Sequence, residues 1–140
     1  MTVFRTSRRV EFRDTDAAGI AHFTALFAYL EEAEHAFLRH AGLSVHARDE
    51  DQTISWPRVA AQCDFRSAVR FEDVVEIAVR IERLGGTSVT YGFDVSHAGQ
   101  PVAHGSMTSV CCRIRPSEPP KAVSIPDWMR EKLAPYVATG

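Results

Sequence analysis

The chain has few cysteines, no long apolar run, no large excess of either charge and no internal repeat. Its three cysteines, Cys63, Cys111 and Cys112, are odd in number, and two are adjacent. Their spacing fits neither a disulfide framework nor a zinc motif, so they read as buried reduced thiols of a cytosolic protein. No stretch approaches the ~18 apolar residues of a membrane span, and residues 1–13 lack a signal peptide's apolar core. A net charge of −2 argues against a dedicated nucleic-acid or acidic-membrane binder. What remains is ordinary globular composition, 45% hydrophobic and 24% charged. At 140 residues it is expected to form one domain over 1–140, with a core that needs no staples.

From Phe4 to Phe12 the even positions are Phe, Thr, Arg, Val and Phe, which predicts a strand. If it continued, Asp14 and Asp16 would share the face of Val10 and Phe12. The period then changes. Phe23, Leu26, Phe27, Leu30, Ala33, Phe37 and Ala41 fall on one helical stripe, with Glu34 and Leu38 at its margins. Thr24 is the expected N-cap and Gly42 the expected stop.

Strands are expected around Val59–Phe65, Val75–Ile81 and Val89–Val95. After a turn at HAGQP, a final long strand should run from Val102 to Arg115. A short helix near Pro126 should place Trp128, Met129 and Leu133 inward. The Tyr91 and Phe93 pair reads as core. One long helix with antiparallel strands predicts an α+β domain whose sheet curls around that helix. One helix cannot cover both faces and the edges, so a second copy is expected to pack against it.

The stretch RDTDAAGIAHF carries the chemistry. Small residues admit close approach to the backbone, and the following helix start offers free N–H groups at its positive end. Such amides could hold an oxyanion while a carboxylate attacks a carbonyl or deprotonates water. An Asp before a helix is equally a cap, and spacing alone leaves both readings open.

The run F-x-D-T-D-A-A-G-I-x-H-F, followed by F-x-Y-L-E-E-A, resembles the hotdog-fold acyl-CoA thioesterases of the 4-hydroxybenzoyl-CoA thioesterase family. DFRSAVRFEDVVEI looks like that family's second and third strands, and the resemblance runs from Val3 to about Arg115. It implies a hotdog fold, an antiparallel sheet wrapped around one long central helix. It further implies hydrolysis of an acyl-CoA without metal or cofactor. Asp16 would be the catalytic carboxylate, with the N–H of Phe23 polarising the carbonyl and Gly19 shaping the turn. Homodimers or homotetramers with sites at the subunit interface are implied as well.

His22 is a candidate for orienting substrate or water. Its His-Phe order is similar to the 1,4-dihydroxy-2-naphthoyl-CoA thioesterases, so an aromatic acyl-CoA is the alternative substrate. Ser67 is a candidate at the site mouth. Asp14 keeps its capping role. Glu31 and Glu34 are rival carboxylates, read as solvated or rim residues. Arg66, Arg70, Arg80, Arg83, Arg113, Arg115 and Lys121 are candidates for gripping CoA phosphates. The remaining alternative is a non-catalytic hotdog module binding acyl-CoA or an acyl carrier.

Overall fold

The computed structural model describes residues 2–139, so the two ends of the expected 1–140 domain lie outside the described residues. The chain opens with β1 (Phe4–Arg9), a 3₁₀ turn over Phe12–Asp14 and the long helix α1 (Phe23–His40). A hairpin of β2 (His46–Asp49) and β3 (Gln52–Ser55) leads into β4 (Arg58–Phe65). Three long strands follow: β5 (Val74–Leu84), β6 (Ser88–His97) and β7 (Gln100–Val110). The chain closes with β8 (Cys112–Ile114), β9 (Lys121–Ala122) and α2 (Asp127–Leu133).

The main sheet is antiparallel, in the order β1-β5-β6-β7-β4, and a smaller sheet runs β2-β3-β8-β9. Val75, Ile77, Val79 and Ile81 of β5 and Val89, Tyr91, Phe93 and Val95 of β6 are at most 2% exposed. They form one hydrophobic cluster with Tyr29, Leu30, Ala33, Phe37 and Leu38 of α1. The period-2 and period-3.6 patterns therefore meet in the same core, Tyr91 and Phe93 included. Contact between α1 and β7 is close enough that a Cβ on Gly105 would stand 2.4 Å from Leu30 Cδ1. Only glycine admits that approach.

Helix α1 ends as expected at Gly42. The Leu43 N–H donates to Leu38 O at 2.7 Å and the Gly42 N–H to Arg39 O at 3.1 Å, with Gly42 at φ +80°. This is a Schellman motif, and Leu43 is buried beside it. The HAGQP turn also forms, with Ala98 and Gly99 both at positive φ between paired His97 and Gln100.

Several expectations are corrected. Strand β1 stops at Arg9 because the next residues turn into the 3₁₀ segment. Asp14 and Asp16 therefore do not extend its face, and Phe12 is 70% exposed. Thr24 lies inside α1; the N-cap is His22. Phe23 is 57% exposed, while Tyr29, outside the expected stripe, is fully buried. The expected final strand breaks at Cys111, and its end crosses into the small sheet, whose β2–β3 hairpin the pattern did not reveal. Trp128 points outward, its Nε1 donating to Asp49 Oδ1 at 2.9 Å, while Met129 and Leu133 are buried. Cys111 and Cys112 are buried free thiols, and Cys63 is only half-buried. Burial pushes the Cys111 thiol up to about 11, with Cys112 and Asp49 adding to it. Among the described residues, no helix is long and apolar enough to cross a membrane.

Candidate active site

The stretch from Glu11 to Phe23 is held in place by Asp14. Its Oδ2 accepts from Tyr29 Oη at 2.8 Å, Glu11 N at 3.0 Å and Arg8 Nη1 at 3.2 Å. Arg8 also bonds Glu32 at 2.8 Å and lies over the Tyr29 ring at 4.7 Å. Burial by itself would raise the Asp14 pKa. The Glu11 amide, the Tyr29 hydroxyl and the Arg8 charge outweigh it and lower the value. The same bond, together with burial, raises the Tyr29 hydroxyl. Asp14 O further accepts the His22 N–H at 2.8 Å, which ties the loop to the start of α1. Asp14 thus carries the capping role expected of it.

Asp16 stands differently. Its Oδ1 accepts the Ala18 N–H at 2.8 Å in an Asx-turn, and its backbone pairs with Ile20 and Gly19 at 2.9 Å. Among the described residues, its Oδ2 receives no hydrogen bond. Gly19 sits at φ +79°, the left-handed conformation this turn needs. With the turn closed, Asp16 lines a cavity of about 400 Å³ together with Ile20, Ala21, His22, Phe23, Leu26, Phe65, Arg66, Ser67, Ala68 and Val69. Helix α1 supplies one wall, and the end of β4 with the segment after it supplies the other.

The helix start has a specific pattern of used and unused amides. The Ala21 N–H goes to Val69 O at 2.8 Å and the Ala25 N–H to His22 O at 2.9 Å. The Thr24 N–H goes to His22 Nδ1 at 3.2 Å. Among the described residues, the Phe23 N–H has no acceptor, as the first amide of a helix should not. Because Nδ1 of His22 accepts, the neutral ring carries its proton on Nε2. The ring packs on Phe23 with centroids 4.6 Å apart.

Asp16, His22, Phe23 and Ser67 are thus brought to one cavity, and Gly19 to the turn beneath it. The Ser67 hydroxyl is occupied, donating to Pro101 O at 2.6 Å. Of the basic candidates, Arg66 lines both this cavity and a neighbouring groove with Asp94, Ser96 and His104. The Arg70 Nη1 would meet a Cβ on Gly19 at 3.8 Å, so it lies beside the turn. Arg80 is held by Asp94 at 2.5 Å and Glu82 at 3.6 Å, while Arg113 and Lys121 pair across β8 and β9, remote in the fold from this site. Among the described residues, no three His, Cys, Asp or Glu side chains converge as a metal-ion site.

Glu34 was read as a solvated or rim residue, and the structure overturns this. It is 2% exposed and pairs with Arg58 through Nη1 at 2.9 Å and Nη2 at 3.1 Å. Glu31 keeps its place at the rim, bonded to Arg58 at 3.2 Å. Burial works against the Arg58 charge, but the two carboxylates prevail and raise its pKa. Arg58 had no signal in the sequence, since its partners lie 24 and 27 positions away.

Comparison with known proteins gives the family of the chain. The model of the Thioesterase-like superfamily matches residues 10–133, and the chain belongs to that superfamily. A 1,4-dihydroxy-2-naphthoyl-CoA hydrolase of Synechococcus elongatus is 26% identical over 93% of this chain and 97% of its own. Acyl-CoA thioester hydrolase YbgC of Escherichia coli is 26% identical over 87% of this chain and 93% of its own. Among solved structures, a gentisyl-coenzyme A thioesterase superposes with a TM-score of 0.79 at 29% identity, covering 94% of this chain and 99% of that one.

Proposed function

We propose that this chain hydrolyses acyl-CoA thioesters to the free acid and CoA, with Asp16 as the reacting carboxylate. What supports this reading is one cavity lined by both Asp16 and Phe23, whose Oδ2 and N–H have no hydrogen-bond partner among the described residues. With the thioester carbonyl against the Phe23 N–H, the growing oxyanion gains a donor at the positive end of α1. As general base, Asp16 takes a proton from water as its oxygen bonds to the carbonyl carbon. Collapse of the tetrahedral species breaks the C–S bond, and the CoA thiolate leaves to take up that proton. As nucleophile, Asp16 itself bonds to the carbonyl carbon, CoA leaves, and water then cleaves the acyl-aspartate. Label from heavy-oxygen water entering Asp16 in a single turnover marks the second route.

His22 lines the cavity while its Nδ1 caps the helix. Gly19 holds the turn, and Ser67 steadies the mouth through Pro101. Arg66 and Arg70 are the basic residues nearest this cavity and turn, and we assign them the CoA phosphates. The protein works in the cytoplasm as a homodimer or homotetramer. Strand β4 supports the association, being a sheet edge with Val59 63% and Phe65 50% exposed. Paired with a second copy, that edge would bring the partner to the cavity wall. Sedimentation at micromolar concentration tests this, and a monomer there sinks it.

A second reading narrows the substrate to an aromatic acyl-CoA, favoured by Phe23, Leu26 and Phe65 on the cavity walls. Thiol release from a panel of aliphatic and aromatic acyl-CoAs, with Asp16→Asn alongside the wild type, tests both. Full activity in Asp16→Asn removes the carboxylate assignment. Thiol release from no member leaves the non-catalytic acyl-binding module.

A further inference from the structure

The loop that carries Asp16 is a small antiparallel ladder laid against the start of α1. The His22 N–H donates to Asp14 O at 2.8 Å, Thr15 bridges Ala21, and the Asp16 N–H donates to Ile20 O at 2.9 Å. The Gly19 N–H closes the tip on Asp16 O at 2.9 Å. Asp16 therefore sits at the tip of the ladder. Phe23 follows directly on its base, where Asp14 faces His22. Whatever fixes Asp14 fixes that base, and with it the group at either end.

Three donors converge on Asp14 Oδ2, and they come from different places. The Glu11 N–H, at 3.0 Å, belongs to the loop itself, and Arg8 Nη1, at 3.2 Å, comes from β1. Tyr29 Oη, at 2.8 Å, is the one of the three that comes from α1. Tyr29 stands six positions after Phe23, ~9 Å along the axis at 1.5 Å per residue, and helical side chains lean back toward the N-terminus. The helix thus grips the loop before it from its own second turn. That grip is itself held. The ring is fully buried, and Arg8 lies over it at 4.7 Å while bonding Glu32, also on α1, at 2.8 Å. Deleting the hydroxyl alone leaves the ring in the core and leaves Asp14 its two other donors. The fold persists, but the ladder loses its side-chain tie to the helix. Reacting groups tolerate little of this, since a misplacement of about 1 Å costs roughly 10²-fold in rate.

We propose that Tyr29 is a positioning residue for the hydrolysis: through Asp14, its hydroxyl sets the place of the Asp16 carboxylate relative to the Phe23 N–H. This rests on the thioesterase reading. Tyr29 is not among the residues lining the cavity, so its effect falls on the rate of reaction and not on the binding of substrate.

The test is kcat and KM, measured separately for thiol release from benzoyl-, phenylacetyl-, butyryl-, octanoyl- and palmitoyl-CoA. Wild type, Tyr29→Phe and Tyr91→Phe are compared. Tyr91→Phe is the control, deleting another hydroxyl from the same core, on β6 beside Phe37. On the substrate that wild type cleaves fastest, Tyr29→Phe is expected to lower kcat roughly ten- to a hundredfold with KM within about twofold. Tyr91→Phe should change neither. Amide hydrogen exchange gives a second readout: the Asp16, Ala21 and His22 amides should quicken in Tyr29→Phe, while those of β5 and β6 keep the wild-type rate. A kcat unchanged in Tyr29→Phe, or a loss that Tyr91→Phe matches, overturns the proposal and leaves the thioesterase reading standing. Exchange that quickens equally across the sheet does the same. Thiol release from none of the five overturns both.

Discussion

Asp16, in the turn before α1, and Glu34, on α1, are two carboxylates that the fold treats in opposite ways. Around Glu34 the acceptors are in use: a fork of two bonds from Arg58, with Ser109 Oγ at 3.5 Å. Glu34 is buried, and these partners come from two strands, β4 and β7. Around Asp16 one oxygen closes a local turn, and the other receives no hydrogen bond among the described residues, in a residue that lines one cavity with Phe23. The carboxylate that holds the fold together is saturated with donors, whereas the one proposed to do the chemistry keeps an acceptor in reserve. Asp14 repeats the lesson at shorter range, since three donors converge on its Oδ2 two residues from Asp16.

This contrast can be broken most severely at Asp16. Asn keeps the oxygen that accepts the Ala18 N–H, so the turn survives. Thiol release is expected to fall by roughly 10²- to 10⁴-fold, while thermal unfolding stays within about 0.5 kcal/mol of wild type. Comparable activity in the two proteins would falsify the assignment. Arg58→Ala attacks the other side of the comparison. It leaves Glu34 buried without its fork and should lose about 3–5 kcal/mol in denaturant unfolding. A loss under about 1 kcal/mol would mean that the pair is as weak as a surface ion pair.

A third variant separates the amide from the side chain at the helix start. Proline is well tolerated at the first helical position, and His22 already has the extended backbone that a following proline prefers. Phe23→Pro deletes the N–H and should lower kcat by roughly 10²- to 10³-fold, whereas Phe23→Ala keeps it. Equal rates in the two variants would put the oxyanion elsewhere.

The smallest effect concerns Asp14. Its folded pKa lies below the ordinary 3.8, so its ionised form adds stability above that pH. The contribution is lost as pH falls below 3.8 through the folded value. Denaturant unfolding across that range should show Asp14→Asn less stable than wild type at neutral pH, with the gap closing in acid. A gap independent of pH would assign the role of Asp14 to shape rather than charge.

Much of this was legible along the chain because its causes are local. Alternation marked β5 and β6, and a 3.6-residue stripe marked α1. Gly42 and the Ala98–Gly99 pair marked their turns, since few residues accept positive φ. The short β2–β3 hairpin escaped because HARD and QTIS have no clean alternation. Thr24 lost the cap to His22 because the chain enters the helix two residues earlier. Its backbone is fixed there by a bond between Asp14 O and the His22 N–H. Val59 and Phe65 fit a strand pattern, but among the described residues β4 has no neighbour on its outer edge, so they remain exposed.

By itself the sequence determined the long elements, the core residues of the long strands and the short list of groups that could do chemistry. Those depend on side-chain period, backbone freedom and acid–base character, all of which reside in nearby residues. Only the tertiary structure decided which groups are spent and which are free. Tyr29 and Arg8 come from outside the loop to occupy Asp14, and Arg58 crosses from β4 to occupy Glu34. A hydrogen bond belongs to a pair, and here the pairs are made by the sheet closing on the helix.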